Sequence, residues 1–161
     1  MHLEKTLFRN PLKTAITLFF LGSLNCTANT SALSWDVDKN SEMDALTDGL
    51  LILRYSFELT NESLTNGAIA SDSPLSTSEV IASVTETMAI ADVDGNGEVD
   101  ALTDGLLVLR YLFELRGEPL IGGVIADNAT RTTAVSIEAY LDLYNLDNSE
   151  ANTSQPNAEN D

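Results

Sequence analysis

Apolar residues fall along this chain in two runs at helical spacing, each following directly on an acidic stretch. Leu46, Leu50, Leu53 and Phe57 stand at i, i+4, i+7 and i+11, and Leu102, Leu106, Leu109 and Phe113 repeat the pattern. A period of 3.6 residues marks the face that a helix buries, so helices are predicted over residues 47–59 and 103–115 with these side chains in the core. Leu107, Val108, Tyr111 and Leu112 widen the second stripe, which predicts contacts from more than one side. A further helix is predicted to start at Ser76-Thr-Ser-Glu79, where a serine hydroxyl and a glutamate three residues on can each satisfy an orphan backbone donor. Val80, Ile81, Val84 and Met88 carry it to Ala91. Its counterpart covers 132–145, with Ile137, Leu141 and Tyr144 on one face. Gly-containing connectors, 61–73 and 117–129, separate the helices. In Arg116-Gly-Glu-Pro119 the glycine reads as a helix stop and the proline as a block to continuation. The predicted fold class is all-α, with about four helices.

The two halves are one unit written twice. Residues 36–59 match residues 92–115 at 19 of 24 positions, at a constant offset of 56. A fixed period of this kind makes the repeat the building block. One domain is expected over 35–146, made of two pseudo-symmetric 56-residue repeats, 36–91 and 92–146. Nothing helical precedes the first acidic stretch, so the last helix is expected to pack beside it and supply the missing flank. Trp35, the only tryptophan, stands at the entry to that stretch and is expected to seal it by packing.

The ends have other roles. Lys5, Arg9 and Lys13 form a basic lead to an apolar segment, 15–24, which is too short to span a bilayer and reads as an export signal over 1–28. Cleavage is expected after Ala28 or Ala32. Cys26 offers a lipoprotein reading of the same segment, although Leu24-Asn25 lacks the small residues such a site wants. The expected location is secreted, cell-surface or periplasmic, with no membrane attachment unless Cys26 is lipidated. Residues 147–161 are polar and acidic and are expected to be a disordered tail.

Composition narrows the chemistry. Removing 1–28 takes away three of eight cations and one of 25 acids, so the net charge moves from -17 to -19. A charge of that sign repels phosphate and excludes nucleic acid and anionic membrane as partners. His2 and Cys26 fall in or beside the export segment, which leaves no disulfide, thiolate site or histidine catalysis to the mature chain. No nucleophile constellation accompanies the acids, so a carboxylate-pair enzyme is not expected. Ten of the acids lie in two 13-residue windows, 36–48 and 92–104. This clustering points to cation binding rather than to solubility alone.

Within the second window Asp92, Asp94 and Asn96 occupy positions 1, 3 and 5, Glu98 position 7 and Asp100 position 9. Calcium takes six to eight oxygens, and short loops supply them from alternate side chains, with position 7 giving its carbonyl. Gly97 at position 6 suits the sharp turn, and Val99 at position 8 is expected to reach the core. Thr103 stands where a closing acid is expected and Asp104 one place later. Asp104 is the better candidate, because an ion near a helix N-terminus needs a carboxylate between itself and the positive dipole end. The first window offers Asp36, Asp38, Asn40, Glu42, Asp44 and Asp48 at the same places. There Lys39 and Ser41 replace the two glycines, adding a positive charge and about 1 kcal/mol of backbone strain. Two calcium sites are therefore expected, the second tighter. Magnesium is less suited, since it keeps its waters. Two acidic turns that merely cap helices are the plainer reading, and duplication at a fixed offset argues against it.

An acidic D-x-D-x-N-G loop followed by a single helix, duplicated in one exported module, resembles the dockerin family, a loop-helix variant of the EF-hand. The likeness rests on Asp92-Val-Asp-Gly-Asn-Gly-Glu-Val-Asp100, on Leu106-Leu-Val-Leu-Arg-Tyr-Leu112, and on their first copies. It implies calcium at Asp36, Asp38, Asn40, Asp44 and Asp48 and at Asp92, Asp94, Asn96, Asp100 and Asp104. It also implies docking through the helices onto a cohesin-like partner, in polysaccharide-degrading or cell-surface assemblies. Two features depart from the family. The repeats lie further apart, and the partner-reading pair after position 9, commonly small hydroxyl residues, is Ala45-Leu46 and Ala101-Leu102. A free-standing calcium-binding structural or buffering protein is the alternative.

Overall fold

The computed structural model describes residues 33–145. The expected export segment, Cys26 and the acidic tail lie outside these residues. Among the described residues there are six α-helices and no strand. In chain order they are α1 (Leu50–Ser56), α2 (Asn61–Thr65), α3 (Thr77–Thr87), α4 (Leu106–Leu112), α5 (Glu118–Ile121) and α6 (Ala134–Asp142). A 3-10 turn, Met88–Ile90, extends α3 toward the second acidic loop. Each helix of the first half has its twin 56 residues on, so the repeat in the sequence is a repeat in the fold.

A π-helical turn leads into each long-repeat helix, Ala45–Gly49 before α1 and Ala101–Gly105 before α4. Gly49 N donates to Asp44 O at 3.1 Å and Gly105 N to Asp100 O at 3.0 Å, the five-residue bonds of that turn. Each turn buries the aspartate at its fourth position, Asp48 or Asp104.

This turn also corrects the expected core stripe. Leu46 and Leu102 are 65% exposed, and Phe57 and Phe113 are 50% exposed. The fully buried face consists of Leu51 and Ile52 in α1 and Leu107, Val108 and Tyr111 in α4. A π-turn breaks the 3.6-residue phase, so the stripe cannot be extended back to Leu46 and Leu102. Its other end fails because the helices stop first. Phe57 and Phe113 are C-caps, followed by Glu58 and Glu114 in the left-handed region at φ 60° and 62°. The middle of the stripe does pack, where α1 crosses α4. A Cβ on Gly105 would stand 2.9 Å from Leu53 Cδ1, and one on Gly49 would stand 3.0 Å from Leu109 Cδ1. The two glycines thus let each helix approach the other's entry turn, in mirrored fashion.

The connectors are less irregular than expected, since each contains a short helix. Pro119 lies in the first turn of α5, where its fixed φ helps and its missing N–H costs nothing. Arg54 Nη1 donates to Leu64 O and Asn66 O at 3.0 and 2.9 Å, and Arg110 Nη1 to Leu120 O and Gly122 O, both at 3.0 Å. The arginines therefore fasten α2 and α5 to the central helices. The boxes that start α3 and α6 are complete: Ser76 caps Glu79 and Thr133 caps Ser136, each reciprocally.

The last helix supplies the first loop's flank. Trp35 is wholly buried, its Nε1 donates to Leu141 O at 2.8 Å, and its amide donates to Tyr144 O at 3.2 Å. Its ring meets Tyr144 edge-on at 5.7 Å. No helix among the described residues is long and apolar enough to cross a membrane.

Candidate metal centre

Each acidic loop is pinned to the core by the residue after its first aspartate. Val37 and Val93 are wholly buried, whereas Val99, expected to reach inward, is only half-buried and stays outside the core cluster. With the backbone held at position 2, the carboxylates on either side turn toward one another. Asp36, Asp38 and Asp48 bring one oxygen each within 4.8 Å of the others, and Asp92, Asp94 and Asp104 do the same. Five of the six are buried and Asp92 is half-buried.

At the junction it is Asp104, and not Thr103, whose carboxylate joins the cluster. Asp104 Oδ1 accepts from Val93 N at 2.8 Å and Asp94 N at 3.1 Å, and Oδ2 accepts from Asp100 N at 2.9 Å. The Thr103 hydroxyl donates to that same Oδ2 at 3.1 Å. Thr103 therefore orients Asp104 and does not take its place. Asp48 repeats the network, accepting from Val37 N, Asp38 N, Asp44 N and Thr47 Oγ1 at 2.7, 3.2, 2.9 and 3.3 Å. These bonds draw the start and the end of each loop onto one carboxylate.

The first aspartates organise the turns. Asp92 Oδ1 accepts from Gly95 N and Asn96 N, and its Oδ2 from Gly97 N, at 2.8, 3.1 and 3.1 Å. In the first loop Ser41 N donates to Asp36 Oδ2 at 3.2 Å, and Asp36 Oδ1 is buried with no hydrogen-bond partner. A buried carboxylate oxygen without a partner is costly unless something outside the hydrogen-bond network satisfies it.

The remaining sequence candidates stand around the triads. Asn40 Oδ1 accepts from Glu42 N and Asn96 Oδ1 from Glu98 N, at 2.9 and 2.8 Å. Glu42, Glu98, Asp44 and Asp100 are exposed and belong to neither triad. The reading from sequence missed the role of the connectors. Ala70 N donates to Asp38 Oδ2 at 2.8 Å and Ala126 N to Asp94 Oδ2 at 2.9 Å. A signal for this existed, because Gly67-Ala-Ile-Ala70 and Gly123-Val-Ile-Ala126 also repeat at the 56-residue offset.

The charge is concentrated and poorly solvated. Burial, with the nearby Asp38 carboxylate as a lesser cause, pushes Asp48 up to about 6. Burial likewise raises Asp104 and Asp36 above the usual carboxylate range. The loop backbones show the expected difference: Lys39 and Ser41 sit at φ 60° and 73°, where the second loop has Gly95 and Gly97 at 74° and 93°. Lys39 Nζ turns back onto Asp36 O at 2.6 Å and Ser34 Oγ at 3.2 Å. An all-oxygen, multiply anionic and largely buried donor set fits a hard divalent cation. Both triads could hold a metal ion.

Compared with protein-family models, curated proteins and solved structures, the chain matches none.

Proposed function

We propose that this chain is a calcium-binding docking module, with one ion in each acidic loop. The observation that carries the calcium reading is the buried triad at Asp36, Asp38 and Asp48, in which Asp36 Oδ1 has no hydrogen-bond partner; the carboxylate cluster, without such an orphaned oxygen, recurs at Asp92, Asp94 and Asp104. Calcium is favoured over magnesium because the donors are crowded protein carboxylates, and magnesium retains water. Asn40, Asn96, Asp44 and Asp100 would complete the shells, with Glu42 and Glu98 giving carbonyls. The ions would neutralise the triads and fix the angle at which α1 and α4 leave the loops.

Docking rests on the resemblance to dockerins and on the surface beside the loops. Leu46 and Leu102, in the pair that the family uses to read its partner, are 65% exposed, and Phe57 and Phe113 are 50% exposed. Apolar side chains presented twice at equivalent places suit a protein partner better than solvent. The partner class is cohesin-like, outside the cell. A free-standing calcium-binding structural protein is the second reading, favoured by the leucines that stand where hydroxyl residues are usual.

Calorimetric titration of the full chain with calcium tests the first step: two sites are expected, each removed by its own substitution, Asp36→Ala or Asp92→Ala. An absence of heat would sink the calcium reading. Titration with purified cohesin modules, in calcium and in chelator, tests the second. Binding in calcium alone supports docking, and calcium binding with no cohesin association leaves the free-standing protein.

A further inference from the structure

The two loops reach the helices that flank them in different ways. The second loop is continuous with its flank, since α3 and its 3-10 turn run through Ala91 into Asp92. No helix among the described residues precedes the first loop, which borrows α6 from the other end of the fold. A peptide bond does the joining in one case and side chains do it in the other.

Those side chains form an unbroken series. Arg131 Nη2 donates to Asp92 O and Nε to Val93 O, the latter at 2.6 Å, while its amide donates to Asp94 O at 2.7 Å. Thr130 adds its amide to Asp94 O at 3.0 Å and its hydroxyl to Gly95 O at 2.8 Å. The pair lies so close over Gly95 that a Cβ there would meet Thr130 Oγ1 at 2.3 Å. The Arg131 guanidinium covers the Tyr140 ring at 4.0 Å. Tyr140 donates its hydroxyl to Ile90 O at 2.9 Å and meets Tyr144 edge-on at 5.6 Å. Tyr144 meets Trp35 at 5.7 Å, and Trp35 is bonded to Asp36.

The repeat breaks its symmetry at these positions. The residues 56 places from Arg131, Tyr140, Tyr144 and Trp35 are Leu75, Val84, Met88 and Ala91. In the first loop the cation on the corresponding carbonyl is Lys39, a member of the loop itself. Among the described residues the series is therefore present once, at the loop that no described helix enters.

We propose that the two ion sites are coupled through α6, by the series Asp92–Arg131–Tyr140–Tyr144–Trp35–Asp36. The inference rests on the calcium reading given above. An ion held by Asp92 and Asp94 stiffens the carbonyls that Arg131 and Thr130 grip. That grip seats the start of α6, and α6 seats Trp35 against the first loop. Filling the second loop prepares the first, and by linkage the reverse holds to the same degree. Coupling energies are known only from thermodynamic cycles, so the relay is defined by one.

The test uses the full chain, calcium as the only ligand, calorimetry, and the emission of Trp35, the sole tryptophan. Asp94→Ala disables the second loop. The first-loop Kd is expected to weaken by about fivefold or more in this variant. In a Tyr140→Leu background the same substitution is expected to leave the first-loop Kd unchanged. Arg131→Lys, which keeps the charge and loses the fork, should give an intermediate loss and guards against a Tyr140 variant that fails to fold. With the first loop disabled by Asp38→Ala, calcium entering the second loop should still shift Trp35 emission, and Tyr140→Leu should abolish that shift. A first-loop Kd indifferent to Asp94→Ala, with both loops binding calcium, overturns the coupling. A loss of equal size in both backgrounds overturns the relay. No calcium binding in the unsubstituted chain would instead overturn the reading beneath it.

Discussion

Exchanging the residues at position 6 of the two loops isolates the backbone cost that separates them. Ser41 holds φ 73° and its twin Gly97 holds φ 93°, a region that costs an L-residue about 1–2 kcal/mol. No atom lies within 4 Å of a Cβ built on Gly97, so a serine there would meet the dihedral and nothing else. The Ser41 amide donates to Asp36 Oδ2 at 3.2 Å, a bond that glycine keeps. Against the relieved strain stands the larger conformational freedom of glycine in the unfolded chain, about 0.5–1 kcal/mol. Ser41→Gly is therefore expected to stabilise by about 0.5–1 kcal/mol, and Gly97→Ser to destabilise by as much. For a domain of this size the melting temperature should move by about 2–6 °C, upward in one variant and downward in the other. Thermal and urea unfolding, each with calcium and with chelator, measure it, and the double swap should fall close to the parent. Shifts of the same sign in the two single variants would refute a purely backbone origin.

Three further outcomes follow from the same structure. Glu58→Gly and Glu114→Gly, which relieve the left-handed residues ending α1 and α4 at φ 60° and 62°, should each stabilise by about 0.5–1 kcal/mol in urea unfolding, and additively. Gly49→Ala and Gly105→Ala should destabilise by about 1–2 kcal/mol despite alanine's helix propensity, because Leu109 and Leu53 already occupy the space; a rise in melting temperature would show that the crossing is loose. Asp48 loses its proton near 3.8 in the unfolded chain and at about 6 when folded, so between those values the unfolded chain binds fewer protons and metal-free stability should fall as pH rises. In saturating calcium the ion takes the proton's place and the slope should reverse, which melting curves at pH 4.5 and 6.5 (roughly the two ends of that window) would check.

Much of this was legible from residues alone because the information was duplicated. The 56-residue offset paired α1 with α4 and α3 with α6 and left the short α2 and α5 unpredicted, while the aspartates of the two triads could be named from spacing. What sequence did not give has specific causes. A helical wheel assumes one period, and the π-turns at Ala45–Gly49 and Ala101–Gly105 contain two, so the face through Leu46 and Leu102 was assigned to the core and proved exposed. Glu58 and Glu114 end their helices in a conformation for which glycine would have been the visible marker. The hold of Ala70 and Ala126 on Asp38 and Asp94 runs through backbone amides, which no side-chain pattern records. Arg131 was invisible for the opposite reason, since it has no twin and a search for repetition passes over what occurs once.

The bond from the Trp35 amide to Tyr144 O, at 3.2 Å, has a mechanical meaning. The chain enters and leaves the described fold side by side, so the module hangs from its flanks as a pendant and adds little to the length of a stretched polypeptide. Tension applied through both flanks loads this contact before any other part of the core. It would peel α6 from the first loop and leave the second loop's covalent joint to α3 intact. The same closeness of ends lets the fold be grafted into a surface turn of a host protein without a spacer.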